Sequence, residues 1–160
     1  SIGLHWWEPH GTNAGSGESR ASRAMITLEQ RFADEMIAHA REEDPNECCG
    51  VLAGNDARVV RLYRVTNSER SPYRYSMDSQ EFFKAYREIE GNGWEMTGFY
   101  HSHTHSPAYP SQTDCNLAFW PDSHYLVVSL EDKESPVVRA FIITDGEVEE
   151  QEIRSEEVAQ

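Results

Sequence analysis

Leu28, Phe32, Met36, Ile37 and Ala40 recur at the three-and-four spacing of a single helix face. Thr27 followed three residues later by Gln30 has the form of a capping box, so an amphipathic first helix is expected to open near Met25. It should stop at Asp44-Pro45, because the residue before a proline is pushed out of the helical region. The pattern then changes. Apolar and β-branched residues from Cys48 to Leu52 and from Val59 to Val65, separated by Gly54-Asn55-Asp56, predict two strands joined by a turn. Asp78 with Glu81 forms a second capping box ahead of Phe82, Phe83, Tyr86 and Ile89, and Gly91-Asn92-Gly93 closes that helix.

Further on, Trp94 to Tyr100 reads as extended, Ser111 to Trp120 as a short helix and His124 to Leu130 as a strand. Val137 to Thr144 should pair across Asp145-Gly146 with a final strand. The order predicts an α/β domain of the α+β kind: a mixed, largely antiparallel sheet with helices packed on it. No internal repeat and no glycine-rich phosphate loop is present.

Composition narrows the possibilities. A chain of 160 residues suits one hydrophobic core, expected over residues 25–160. Residues 1–24, dominated in their second half by Gly, Ser, Asn and Ala, keep no period and are expected to be a flexible leader or an added tail. Trp6, Trp7, His5 and His10 lie there and are assigned no function. With 14 Lys and Arg against 28 Asp and Glu, the net charge of −14 repels phosphate backbones and argues against nucleic acid as a partner. Three cysteines without a secretory apolar segment before them fit a reducing cytoplasm, and no apolar run is long enough for a membrane span.

The chemistry is concentrated in Phe99 to Asp114. If the extended segment continues to His103, then His101 and His103, two positions apart, point to one face. Asp114 falls in the first turn of the next helix, where the dipole favours a carboxylate. Two imidazoles and a carboxylate suit one zinc ion and leave a fourth tetrahedral position open, as a catalytic site requires. Such a site also needs a carboxylate outside the metal shell to carry protons, and Glu47, a charge at the entry to an apolar strand, is the candidate. Ser111 and Asp114 also form a Ser-x-x-Asp capping box, which by itself accounts for both residues. His105 is expected at the rim of the site, and His39 and His124 in structural roles. Cys48 and Cys49, adjacent on a strand, are expected to be small buried residues and not ligands; Cys115 should lie near the metal without binding it.

A glutamate ahead of the sheet, then His101-x-His103, seven residues, Ser111, two residues and Asp114 resembles the JAMM (MPN+) metalloprotease family over about residues 25–150. The resemblance implies an MPN/JAMM, cytidine deaminase-like fold, Glu47 as general acid and base, and a hydrogen bond from Ser111 to the tetrahedral oxyanion. The short length, the segment Asn67-Ser68-Glu69-Arg70-Ser71-Pro72, and His-Ser-His-Thr followed by Ala-Tyr-Pro-Ser look most like the bacterial Mec-type peptidases. These release cysteine from the C-terminal glycine of a ubiquitin-like sulfur carrier, so a zinc peptidase with a Gly-Gly-tailed carrier as partner is expected. The alternatives are a deubiquitinase-like isopeptidase for other protein conjugates and a noncatalytic MPN scaffold. A structural zinc module would want a fourth protein ligand.

Overall fold

A computed structural model describes residues 25–156; the expected leader, with Trp6 and Trp7, lies outside the described residues. The elements in chain order are β1 (Met25–Glu29), α1 (Gln30–Glu43), β2 (Cys49–Asn55), β3 (Arg58–Val65), α2 (Ser79–Gly91), β4 (Glu95–His103), α3 (Gln112–Asn116), β5 (His124–Ser129), β6 (Val137–Thr144) and β7 (Glu147–Glu156). The strands run β1-β3-β2-β4-β5-β6-β7 and close into a barrel. The pairs β2/β3, β2/β4, β5/β6 and β6/β7 are antiparallel, while β1/β3, β1/β7 and β4/β5 are parallel. The sheet is mixed, as expected, but closed, which leaves no free edge. No helix among the described residues is long and apolar enough to cross a membrane.

The predicted start of the first helix is wrong. Residues 25–29 form a strand, with Ile26 and Leu28 buried and their neighbours half-buried. That alternation has a period of two, and five successive residues pair with β7 from Met25↔Glu152 to Glu29↔Glu156. Thr27 therefore caps nothing, and the helix begins at Gln30 behind Glu29, which makes no side-chain cap. Its end at Glu43, before Asp44-Pro45, agrees with the sequence. The hairpin turn also moves: Asp56 and Ala57, with φ of 53° and 61°, form the two-residue loop, while Gly54 and Asn55 remain in β2. Gly54 cannot carry a side chain, since a Cβ there would sit 1.7 Å from the Arg58 carbonyl oxygen.

Asp78 caps α2 by accepting from the Glu81 N–H, but the box is only half made. The Glu81 carboxylate instead accepts from the Thr66 N–H, tying the helix start to the end of β3. α3 is shorter than the predicted Ser111 to Trp120, because the chain leaves it at Leu117 and runs irregularly to β5.

The core has two parts on opposite sides of the β2/β4/β5 sheet. Cys48, Leu52, Tyr100, Leu126 and Val128 pack with Phe32, Met36 and Ala40 of α1. Cys49, Val51, Phe99, Tyr125 and Val127 pack with Ile89 of α2. Beyond the bulge opposite Leu52 and Ala53, Phe99 of β4 lies on the α2 side, and His101 and His103 follow it at a spacing of two.

Candidate metal centre

His101 and His103 occupy the buried end of β4 with Ser102 on the other face. The loop through Pro107 and Pro110 returns the chain, and α3 presents Asp114 from its first turn. Asp114 Oδ2 lies 3.0 Å from His101 Nε2 and 3.1 Å from His103 Nε2, and the two Nε2 atoms are 3.2 Å apart. These are the residues among those described that cluster closely enough to hold a metal ion.

The chemistry of the donors fits a cation. His103 Nδ1 lies 2.9 Å from the Pro107 carbonyl oxygen, which can only accept, so Nδ1 carries the hydrogen and Nε2 presents a lone pair. That lone pair faces a carboxylate oxygen, an arrangement favourable only with a positive charge between them. Burial lowers the His103 pKa, but the Asp114 carboxylate, the Pro107 carbonyl and Glu47 together raise it. The separations also suit zinc, whose bonds of about 2.0–2.1 Å set tetrahedral donor spacings of about 3.3 Å. Burial pushes the Asp114 carboxyl up, yet both imidazoles and the Ser111 N–H, 2.8 Å from Oδ2, hold it far below the carboxylate range. His101 is lowered, chiefly by burial.

Glu47 reaches the centre through β-sheet pairing. Cys49 lies opposite His101 in the β2/β4 register. The Ser102 N–H donates to the Cys48 carbonyl, the Cys48 N–H donates to Ser102 Oγ, and Thr104 Oγ1 donates to the Pro45 carbonyl. Residues 45–48 are thus laced to the end of β4. The Glu47 carboxyl is buried, and its Oε1 has no partner among the described residues. Burial raises its pKa to about 8, with His103 lowering it and Asp114 raising it further.

Ser111 caps α3 in a complete box, its Oγ accepting from the Asp114 N–H at 3.1 Å. Capping uses a lone pair of the hydroxyl and leaves its O–H free to donate, so the cap and an oxyanion contact do not compete. His105 is exposed, with Nδ1 2.8 Å from Thr104 Oγ1. His39 bonds Tyr100 Oη through Nδ1 and His124 is buried, both away from the donor cluster. Cys48 and Cys49 are buried on opposite faces, and burial pushes the Cys48 thiol up to about 12. Cys115 is half-buried beside Asp114, and its thiol too is raised by burial.

Two residues received no role in the site from the sequence. Tyr75 stacks its ring on His101, with centroids 4.7 Å apart and planes 24° apart. Asn67 is buried and uses its whole hydrogen-bonding capacity: Nδ2 donates to the carbonyls of Glu47 and Arg74, and Oδ1 accepts from the N–H groups of Glu69 and Ser76. The Glu47 N–H in turn donates to the Ser71 carbonyl. The segment 67–77 therefore holds the Glu47 backbone by both its polar groups. The Asn67-Ser68-Glu69 stretch carries an asparagine-turn signal, but nothing local names Glu47 as its partner.

Residues 29–143 match the family of prokaryotic homologs of the JAB domain. The chain is 41% identical over 131 residues to a CysO-cysteine peptidase of Mycobacterium tuberculosis, covering 81% of this chain and 90% of that one. A desampylase of Haloferax volcanii is 40% identical over 116 residues, covering 68% and 82%. A Desulfitobacterium hafniense protein solved in solution superposes with a TM-score of 0.76 at 43% identity, covering 84% and 94%. A JAB1/MPN domain protein of Archaeoglobus fulgidus shares the fold alone, with a TM-score of 0.54 at 16% identity over 81% of this chain and 98% of that one. With its fold, its paired histidines and these likenesses taken together, the chain belongs to the prokaryotic JAB-domain family.

Proposed function

We propose that this chain is a zinc-dependent peptidase that hydrolyses the amide after the C-terminal glycine of a ubiquitin-like sulfur carrier and releases cysteine. The observation that carries the reading is the convergence of His101 Nε2, His103 Nε2 and Asp114 Oδ2 at 3.0–3.2 Å from one another. The likeness to a CysO-cysteine peptidase supports the substrate class.

His101, His103 and Asp114 would hold the ion, which when bound acidifies a water and polarises the scissile carbonyl. Glu47 takes the proton of the attacking water and delivers it to the departing amine nitrogen. Its carboxyl is buried, with Oε1 unpartnered among the described residues, and burial raises its pKa, so it holds a proton more tightly than an exposed carboxylate does. Ser111 donates its free O–H to the oxyanion as the carbonyl carbon becomes tetrahedral. A Gly-Gly tail brings its backbone close to the site without side chains in the way. A reducing cytoplasm belongs to the same reading, in keeping with three free cysteines.

The likeness to a desampylase favours a second reading, hydrolysis of an isopeptide bond between a carrier and another protein. One experiment separates them: a carrier ending Gly-Gly-Cys and a carrier joined to a lysine side chain are each incubated with the zinc-loaded protein, and the products are weighed by mass spectrometry. Release of cysteine alone, abolished by chelation and by Glu47→Gln, is expected. No cleavage of the first substrate with zinc bound would overturn the proposal.

A further inference from the structure

Glu47 lines a cavity of about 490 Å3 together with Glu43, Arg64, Asn67, Arg70 and Glu81. The acids and cations of this wall are not equally committed. Arg64 is paired with Glu35 and Glu42, and the Glu81 carboxylate receives the Thr66 N–H. Arg70 differs. Among the described residues no carboxylate lies within ion-pair distance of its guanidinium, in a chain with twice as many acids as bases. Its backbone is also held in the left-handed region, with φ of 45°, a conformation a residue with a Cβ rarely adopts without being forced. What forces it is the hub described above: the Arg70 N–H bonds the Asn67 carbonyl, Asn67 bonds the Glu47 carbonyl, and the Ser71 carbonyl receives the Glu47 N–H. The Arg70 backbone is thus fixed, through two short routes, to the residue that hands a proton to the leaving amine, and its side chain is exposed.

We infer that this cavity receives the leaving group, and that Arg70 binds the α-carboxylate of a departing amino acid while Glu47 attends its amine. The inference rests on the proposed peptidase activity and makes it more specific. A wall that offers one uncommitted guanidinium beside carboxylates suits a zwitterion, whose amine and carboxylate leave together on adjacent atoms. A guanidinium meets a carboxylate through two parallel N–H···O bonds, a match that a point charge does not reproduce. A lysine within a folded protein would bring no α-carboxylate to this place. Arg70 is on this account a specificity residue: it separates adducts of a free amino acid from isopeptide conjugates.

The test gives the zinc-loaded protein two substrates that differ only in charge: a carrier ending Gly-Gly-cysteine and the same carrier ending Gly-Gly-cysteinamide. The wild type is expected to favour the carboxylate by about tenfold or more in kcat/KM, mostly through KM, the worth of one charge-assisted bond. In Arg70→Gln that ratio should fall to about one, and in Arg70→Lys it should be intermediate. Equal use of both substrates by the wild type would overturn the inference and leave the peptidase standing. An equal fall on both substrates in Arg70→Gln would also overturn it, since that is the mark of a merely structural residue. Cleavage of neither by the wild type would overturn the proposed function itself, and the inference with it.

Discussion

Replacing Asn67 by alanine removes four hydrogen bonds at one stroke, two given by its amide nitrogen and two received by its oxygen. Their partners do not suffer alike. The Glu47 carbonyl is buried and finds no water, whereas the groups on Glu69, Arg74 and Ser76 belong to exposed residues that can be solvated. Assigning about 1–2 kcal/mol to the stranded carbonyl and about 0.5 kcal/mol to each of the others predicts a loss of roughly 3 kcal/mol. A domain stabilised by about 5–15 kcal/mol survives this folded. Activity should fall further than stability suggests, because a displacement of about 1 Å at Glu47 is worth on the order of a hundredfold in kcat. Asn67→Asp separates the two effects: it keeps both received bonds but turns a carboxylate oxygen on the Glu47 and Arg74 carbonyls. It should lose as much kcat as the alanine variant. Urea unfolding at neutral pH and kcat on the Gly-Gly-Cys carrier measure both quantities. A loss below about 1 kcal/mol with kcat within about twofold of wild type would refute the claim that Asn67 places Glu47.

Three further outcomes are expected. In chelated protein, the Glu47 pKa raised from 4.5 to about 8 means that stability present below pH 4.5 is lost as pH rises through 8. Glu47→Gln, which never ionises, should therefore exceed chelated wild type in stability above pH 8, by on the order of 4 kcal/mol, and match it near pH 4; equal urea midpoints at high pH would refute this. His39 is buried with Nδ1 2.8 Å from the Tyr100 hydroxyl, and burial lowers its pKa from 6.5 to about 4. The unfolded chain thus gains a proton that the fold refuses, so acidification from pH 6.5 to about 4 should cost the wild type about 1–2 kcal/mol more than His39→Gln once solvent screening is allowed for, as read from pH-dependent unfolding. Ser111→Ala should lose about 0.5–2 kcal/mol from the missing cap and about a hundredfold or more in kcat. Ser111→Asp should recover the cap and not the rate, whereas recovery of both would show that the hydroxyl only caps.

Much of the site was legible because its spacing is local. His101 and His103 share a face as a direct consequence of strand geometry, and Ser111 with Asp114 opens a helix whichever fold surrounds it. The helix stop before Pro45 and the cap at Asp78 were legible for the same reason. Met25 to Glu29 was not. Five residues with Ile26 and Leu28 apolar satisfy either period, and the parallel partner that decides for a strand lies more than a hundred residues away in β7. Glu47 was chosen by its place before an apolar strand, but only the pairing of Cys49 with His101 brings it to the centre.

What the chain determined by itself, then, is the donor set and the short-range geometry of its parts, since steric and hydrogen-bonding rules act within a few residues. The closure of the barrel, the approach of Glu47, the stacking of Tyr75 on His101 and the Asn67 hub that carries Arg70 to the cavity were decided only by tertiary structure. Each depends on contacts between segments far apart in sequence, where burial and long-range strand pairing select one arrangement among several that the local pattern permits equally.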